Sequence, residues 1–585
     1  MSSISDEKSA PREITESSKW GWTQKLPWFI PHERIVIETQ EEIDAGYAIR
    51  KKNEEEKQSY HVKEYRDEAH RPWYAFFNEV EYRLTKEEQS KHDWWRWYDK
   101  GTSKAEKKLI LKQDLLITIT AFLGFWTFSL NQANLNNAYV SGMKEEIGMK
   151  GNDLINTQVL FSAASIIFQL PLIYILPRVN PTYMLFGAEF LWSIFTLATS
   201  SVHNVATLKA FRFIVGAGEA AFFPIIHSNF ALNYTHGEIH RRAGFYYFGL
   251  YLGTLTSGLL QSGIHNALDG VNGISGWRWM FIIDGIISFG VTFVTLLSIP
   301  GSPFKCYSIW LTDDEIKLAR KRMRINGTDE HTPTTKEFLD PKVWKKIFTS
   351  WHFWVFTIAN IGGWNGNSAS SGSFVLWLKS LDKYSIGKMN NLTAIPPALG
   401  ILYIFIVCFG ADFIRQRFLM ISFSQLMNMI EGAKWFGFCF GYWSWSQSSV
   451  FYPLMNDILR RDANQKSIEW LISYIFCAQS NVWLNKILYP TVEAPKFIKG
   501  FTAAACFSAL QGLFMAIALW FYKRDERAYA YEHGIVLYNS AKGEDPETAL
   551  KNITQEVKDS DVSSIAISTS SLTEDVVSHH HEPKK

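Results

Sequence analysis

The chain has 585 residues, 47% hydrophobic and 15% aromatic, yet its formal net charge is only +2. Without a basic excess there is no reason to invoke nucleic acid. A mean hydropathy of −0.08 reads as soluble, but it averages charge-rich segments at 1–110, 301–350 and 522–585 with long apolar runs between them.

The N-terminal stretch has no apolar core of the signal-peptide kind, so targeting is expected to fall to the first membrane-spanning helix. Residues 1–64 mix acidic and basic side chains with little apolar content, and disorder is expected there. "RPWYAFFNEVEYRL" (71–84) and "DWWRWYDK" (93–100) are aromatic-rich and suited to a bilayer surface. From residue 115 the apolar runs begin. "LLITITAFLGFWTFSL" (115–130), "LINTQVLFSAASIIFQLPLIYILP" (154–177) and "FTAAACFSALQGLFMAIALWF" (501–521) carry no charge. Runs of about 18 or more apolar residues read as membrane-spanning helices.

Twelve spans are expected, at 115–135, 154–177, 182–200, 206–232, 243–264, 279–299, 351–377, 394–411, 418–430, 435–455, 468–489 and 501–521. The predicted fold is an all-α membrane protein of two six-helix bundles, 111–300 and 351–521, joined by a charged connector at 301–350. An N-terminal tail (1–110) and a C-terminal tail (522–585) flank them. Basic residues in the short loops are evenly split between the two sides. The flanks "KAEKKLILK" (104–112), "KLARKRMR" (317–324) and "YKRDER" (522–527) break the tie and place termini and connector in the cytoplasm. Residues 545–578, rich in Ser, Thr and acids, read as a disordered tail, and "HHH" (579–581) as an exposed end rather than a metal site.

Span 4 holds the charges that most need explaining. "AFRFIVGAGEAAFFP" (210–224) places Arg212 and Glu219 two helical turns apart, about 10 Å along one face. Ionised groups in a span face the bundle interior, pair, and mark a substrate or proton path. Arg212, just after Lys209, could instead snorkel to the interface. Polar groups recur elsewhere. Span 1 ends in "SLNQANLNNAYV" (129–140), with Asn131 and Asn134. Span 7 contains "NIGGWNGNSASSGS" (360–373), with Trp364, Asn365 and Asn367. Span 10 adds Trp445 and Asn456, and span 11 Gln479. Broken, polar helices are tolerated at membrane depth only where they are buried or line a cavity. Any single Asn or Ser could equally be a hydrogen bond between packed helices.

Gly249, Gly253, Gly258 and Gly263 on span 5 are small residues on neighbouring turns, suited to close helix packing. The five Cys form no CxxC pair, no cofactor or metal motif is visible, and no nucleophile stands beside a base. The reading is therefore not an enzyme.

"RFIVGAGEAAFFP" (212–224) followed by "EIHRRAGFYY" (238–247) resembles the Arg…Gly-x-x-Glu-Ala…Pro and Glu-x-x-x-Arg pattern of the anion:cation symporter family. That family lies within the major facilitator superfamily and includes the fungal allantoate permease group. "GWRWMFIIDG" (276–285), "LTAIPPALG" (392–400), "GAD" (410–412) and "EAPKFIKGF" (493–501) extend the match. "NNAYVSGMK" (136–144) and "CYSIWLTDDEI" (306–316) are most similar to fungal biotin and ethionine-sulfoxide-resistance type transporters. The resemblance implies a central cavity lined by spans 1, 4, 7 and 10. It also implies proton-coupled import of a small organic anion or zwitterion (vitamin, ureide, peptide or sulfur amino-acid derivative) by a plasma-membrane monomer. In such a cycle Gly276, Trp277, Arg278 and Trp279, with Arg242, Asp284 and Asp412, would serve as hinge or gate latches. A nutrient sensor that does not transport, or a uniporter, remains the alternative.

Three positions depart from the family pattern. Asn131 stands where relatives commonly carry an Asp, and it cannot titrate. Leu454 replaces a Trp two residues before Asn456. Span 9 has only about 13 apolar-type residues before Glu431, roughly 20 Å against a hydrocarbon core of about 30 Å. Either span 9 is truncated or a piece was lost at Ile430–Glu431 by mis-splicing; the second is the reading adopted, because the rest of the chain is intact.

Overall fold

The computed structural model describes residues 31–58, 62–90, 97–98, 101–175, 179–326, 341–366, 373–414, 416–429, 434–459, 463–493 and 496–553. Helices occupy all twelve expected spans. Span 1 lies in the helical run Lys104–Glu146, and spans 2 and 3 are Asp153–Ile175 and Pro181–Ala198. Span 4 is the run Val205–Asn233, span 5 His236–Leu268 and span 6 Gly276–Ser298. In the second half, span 7 is split into Trp351–Asn365 and Ser373–Ser380, span 8 is Ile395–Ile414 and span 9 Arg417–Met429. Span 10 comprises Lys434–Ser446 and Ser448–Ile458, span 11 is Ala463–Leu488 and span 12 Ile498–Ala528.

The halves repeat one packing plan. Span 1 packs on 5, 2 on 4 and 3 on 6, while 7 packs on 11, 8 on 10 and 9 on 12. The outward faces carry large apolar side chains such as Phe293, Leu402, Phe413, Leu513 and Trp520, each more than half exposed. A surface of that kind is stable only against lipid.

The close approach of spans 1 and 5 depends on glycine. A Cβ on Gly249 would lie 2.5 Å from the Phe122 carbonyl oxygen, and one on Gly253 2.4 Å from that of Trp126. Gly258 serves a different contact, against Thr393 and Asn390 of the other half, and Gly263 faces open space. Of the four glycines singled out in the sequence, two therefore join helices within a half and one joins the halves.

Span 4 breaks immediately after Glu219, at Ala220 and Ala221. Pro224 has no N–H to give the Ala220 carbonyl, which removes a bond from the helical ladder at this point. Span 10 breaks at Gln447, and span 7 leaves helix at Gly366, where 367–372 lie outside the described residues. The interruptions in spans 4 and 10 fall near the middle of those spans. Span 9 is described over Arg417–Met429, and 430–433, where its expected end falls, lie outside the described residues.

The expected disorder of 1–64 requires correction over its described part. Residues 40–58 form a helix and Glu64–Asp67 a strand, β1. Gly301–Ser302 and Lys305–Cys306, β2 and β3, pair as a small hairpin at the start of the connector. β1 pairs in parallel with β4, Ile535–Tyr538, beyond span 12. Sequence pattern missed this because the partners that anchor the segment to the rest of the protein, such as Arg320 and Arg324 for Glu38 and Ile535–Tyr538 for β1, lie hundreds of residues away. Residues 1–30 and 554–585, including the terminal His run, lie outside the described residues, as do 93–96, 99 and 100 of the second aromatic stretch.

Candidate functional site

A cavity of about 330 Å³ lies between the two halves. Its wall is aromatic and amide-rich. Spans 1 and 2 give Gln132, Asn136, Asn137, Gln158 and Gln169, span 4 gives Arg212 and Glu219, and span 11 gives Asn481 and Asn485. Trp364 and Trp445 face it from spans 7 and 10. The halves touch on both sides of the cavity. Toward the termini, Phe223 stacks on Tyr474 with centroids 4.8 Å apart. On the opposite side, Tyr139, Val140 and Leu154 share an apolar cluster with Val375, Tyr489 and Phe497, and Asn390 donates to Ser141 at 3.1 Å.

Arg212 is 3% exposed, which rules out a side chain snorkelling to the interface. Its Nη1 donates to the Asn131 carbonyl oxygen at 3.3 Å, and the guanidinium lies 5.4 Å from the Phe281 ring centre. Its Nε and Nη2 have no hydrogen-bond partner among the described residues. Two buried donors on a cation, next to an open cavity, are poised for an acceptor that the protein does not supply. Glu219 accepts at Oε2 from Gln132 Nε2 at 2.9 Å, and its Oε1 is unpartnered. The break at Ala220 gives a physical reason for this position, since Glu219 ends its helix and faces the cavity.

The other expected residues separate into groups. Asn134 and Asp284 belong to a buried polar file inside the first half. Asn134 donates to Asp284 at 2.6 Å and accepts from Ser257 at 2.6 Å, and Ser257 accepts in turn from Asn137 at 2.7 Å. Asp284 thus lies within electrostatic reach of Arg212, in the interior rather than at a loop. Asn131 accepts from Thr196 at 2.9 Å behind the cavity wall. Trp364 donates to Tyr452 at 3.0 Å, whose hydroxyl donates to Asn360 at 3.3 Å. Asn365 turns away from the cavity and donates to Ser480 at 2.8 Å. Trp445 meets Tyr442 edge-on, with centroids 5.8 Å apart. Asn367 and the side chains of Asp412, Asn456 and Gln479 lie outside the described residues.

Arg242 makes a bidentate pair with Asp114 at 2.7 and 3.0 Å and lies between the Trp97 and Tyr234 rings. It ties the start of span 5 to the start of span 1. On the opposite side, Trp277 donates to Glu146 at 2.6 Å and Arg278 at 2.9 Å, so the Gly-Trp-Arg-Trp run grips the end of span 1. Gly276 and Trp279 shape that loop: the Gly276 amide donates to Asp269 at 2.7 Å and Trp279 to the Val271 carbonyl at 3.3 Å.

Sequence reasoning missed Asp114, which sits at the end of a basic run, and Glu146 and Glu189. Glu189, on span 3, is 1% exposed with neither carboxyl oxygen partnered. A lone acid within "LFGAEFLW" was the available signal.

Residues 121–455 match the Major Facilitator Superfamily model. The vitamin H transporter of Saccharomyces cerevisiae is 40% identical over 84% of this chain and 86% of its own length. The pantothenate transporter liz1 of Schizosaccharomyces pombe is 29% identical over 73% of this chain and 84% of its own. Among solved structures, a bacterial homologue of the lysosomal transporter Spinster aligns at 13% identity, covering 74% of this chain and 98% of that one with a TM-score of 0.48. With a matching model over more than half its length and a relative at 40% identity, the chain belongs to the major facilitator superfamily, as a multi-pass membrane transporter of small organic molecules.

Proposed function

We propose that this transporter imports a small carboxylate-bearing nutrient together with protons, and that Arg212 is the group that holds the carboxylate. The observation that carries this is the pair of unpartnered N–H groups on a buried guanidinium at the cavity wall. Two parallel donors match the two oxygens of a carboxylate. The cargoes named for the two relatives, vitamin H and pantothenate, are both monocarboxylates with amide-type groups. The amides of Asn136, Gln158, Asn481 and Asn485 complement such groups, and Trp364 and Trp445 offer flat apolar faces.

Charge supports the proton half of the reading. Arg212 stands within electrostatic reach of two carboxyl groups, Glu219 and Asp284. With both ionised, the site carries a net negative charge and repels an anion. Protonation of both leaves the guanidinium unopposed, so protons and anion enter together. Glu219, with an unpartnered oxygen at the cavity, is the carrier in this scheme. Asn131 holds no titratable proton, which is the one feature that favours a uniporter. The basic flanks support cytoplasmic termini, and the motif resemblance supports the allantoate permease group and, with it, a monomeric plasma-membrane carrier.

Labelled vitamin H uptake by cells expressing the full chain tests the anion site. Loss of two charge-assisted hydrogen bonds in Arg212→Gln raises KM by roughly 150-fold or more, at about 1.5–3 kcal/mol per bond. An unchanged KM, with the variant present at the membrane, would sink the assignment of Arg212.

A further inference from the structure

The N-terminal arm, residues 31–90, holds on to both halves of the transporter on the face that carries the termini. At its first end, Glu38 accepts from Arg324 at 2.8 and 2.9 Å and from Arg320 at 3.1 Å. Arg320 also donates to the Val36 carbonyl at 2.9 Å, and Arg34 bonds Asp313 and the Leu311 carbonyl. Arg320 and Arg324 belong to the connector helix Asp313–Ile325. That helix is itself bolted to the first half by Arg322–Glu238 and Lys112–Glu315, both at 2.7 Å.

At its other end the arm enters the second half. Glu79, 2% exposed, accepts from the Arg417 Nε at 2.7 Å and from its backbone amide at 3.2 Å. Arg417 also donates to Asp457 at 2.6 Å, and Arg83 of the arm reaches the same Asp457 at 2.8 and 3.3 Å. Lys523 of span 12 pairs with Glu81 at 2.5 Å and donates to the Asn78 carbonyl at 2.5 Å. The β1–β4 pairing adds a backbone seam. Arg417 and Asp457 sit where span 9 begins and span 10 ends, so the arm completes a charged latch at the mouth of the second half.

Alternating access requires the two halves to part on this face before cargo can leave through it. A segment fastened to both must let go, or resist. We infer that Glu79 and Arg83 are conformational positioning residues of the transport cycle: through Arg417 and Asp457 they hold the terminus-bearing face closed, and the arm is a tether set across the gate. The arm residues Arg71, Glu79, Glu81 and Arg83 are charge-balanced among themselves. Without them Arg417 and Asp457 still have each other, so release of the arm leaves a folded transporter with a shifted balance of states. The inference rests on transport by this fold and not on the nature of the cargo.

The test needs no ligand. The full chain, with its native cysteines replaced, is spin-labelled in pairs and reconstituted in lipid. One pair, Lys305→Cys with Ala528→Cys, spans the halves on the terminal face, and Lys150→Cys with Lys499→Cys spans them on the opposite face; all four positions are exposed. In Glu79→Gln/Arg83→Gln, the open population on the terminal face rises about tenfold, the equivalent of one charge-assisted bond, while the opposite pair closes. Glu38→Gln/Arg34→Gln, which frees the far end of the arm, gives the same reciprocal shift, because a tether fails at either end. Unchanged distances in both variants overturn the inference. So does a widening of both pairs without reciprocity, which would mean that these residues only stiffen the fold.

Discussion

Replacing Gly253 with alanine tests whether spans 1 and 5 meet backbone to backbone. The added Cβ would stand 2.4 Å from the Trp126 carbonyl oxygen, 2.7 Å from the Ser129 Cβ and 2.9 Å from the Leu130 amide nitrogen. Ordinary contact begins at 3.4 Å, so the helices must separate by about 1 Å. No flexible side chain can move aside, since two of the three atoms are backbone. The shift also pulls at the Ser129 hydroxyl, which donates to the Leu250 carbonyl at 2.6 Å, and at the Trp126 indole, which donates to Thr256 at 2.9 Å. Overpacking plus weakening of these two bonds comes to roughly 2–5 kcal/mol. Gly263→Ala is the matched control, because nothing lies within 4 Å of its added Cβ. Thermal unfolding of both variants in detergent, followed by loss of monodisperse protein, should lower the midpoint by several degrees for Gly253→Ala and leave Gly263→Ala at the wild-type value. Equal midpoints would refute the close packing.

Two further outcomes follow from the charged contacts. Asp114→Asn leaves the wholly buried Arg242 without its countercharge, at about 3–5 kcal/mol. The variant should unfold earlier, and Arg242→Gln added to it should recover part of the loss. The arm should also release in acid. Burial alone would raise the carboxyls of Glu38 and Glu81, but Arg324 and Arg320 hold the first below the ordinary value of 4.5, and Arg71 and Lys523 hold the second below it. A lowered folded-state value means that the stabilisation is present above the ordinary value and fades as pH falls through the lowered one. Protease cleavage within 40–90 should therefore stay slow down to about pH 4.5 and accelerate below it.

The spans were legible because hydrocarbon demands long apolar runs, and "LLITITAFLGFWTFSL" has no other stable home. The charged pair on span 4 was legible for the same reason, since Arg212 and Glu219 stand out only against an apolar background. Where that contrast is absent, the pattern was silent. Glu79, Glu81 and Arg83 are single charges in the aromatic-rich stretch 71–84, and the partners that dock them, Arg417, Asp457 and Lys523, lie more than 330 positions away. Asp284 was read as a latch because it ends a loop signature; the fold turns it inward, onto Asn134. Asn365, chosen with Trp364 from one polar run, points the other way, because adjacent helical residues diverge by about 100°. The described part of span 9, Arg417–Met429, packs against span 12.

The central claim is that this chain moves a carboxylate with protons. The most direct measurement is uptake of labelled vitamin H and pantothenate by cells expressing the chain as written, at acid and neutral pH, with and without a protonophore. Saturable uptake of at least one of them, faster in acid and abolished by the protonophore, is the expected result. Saturable uptake indifferent to both would leave a uniporter, and absence of uptake by protein confirmed at the cell surface would refute carboxylate transport by this chain.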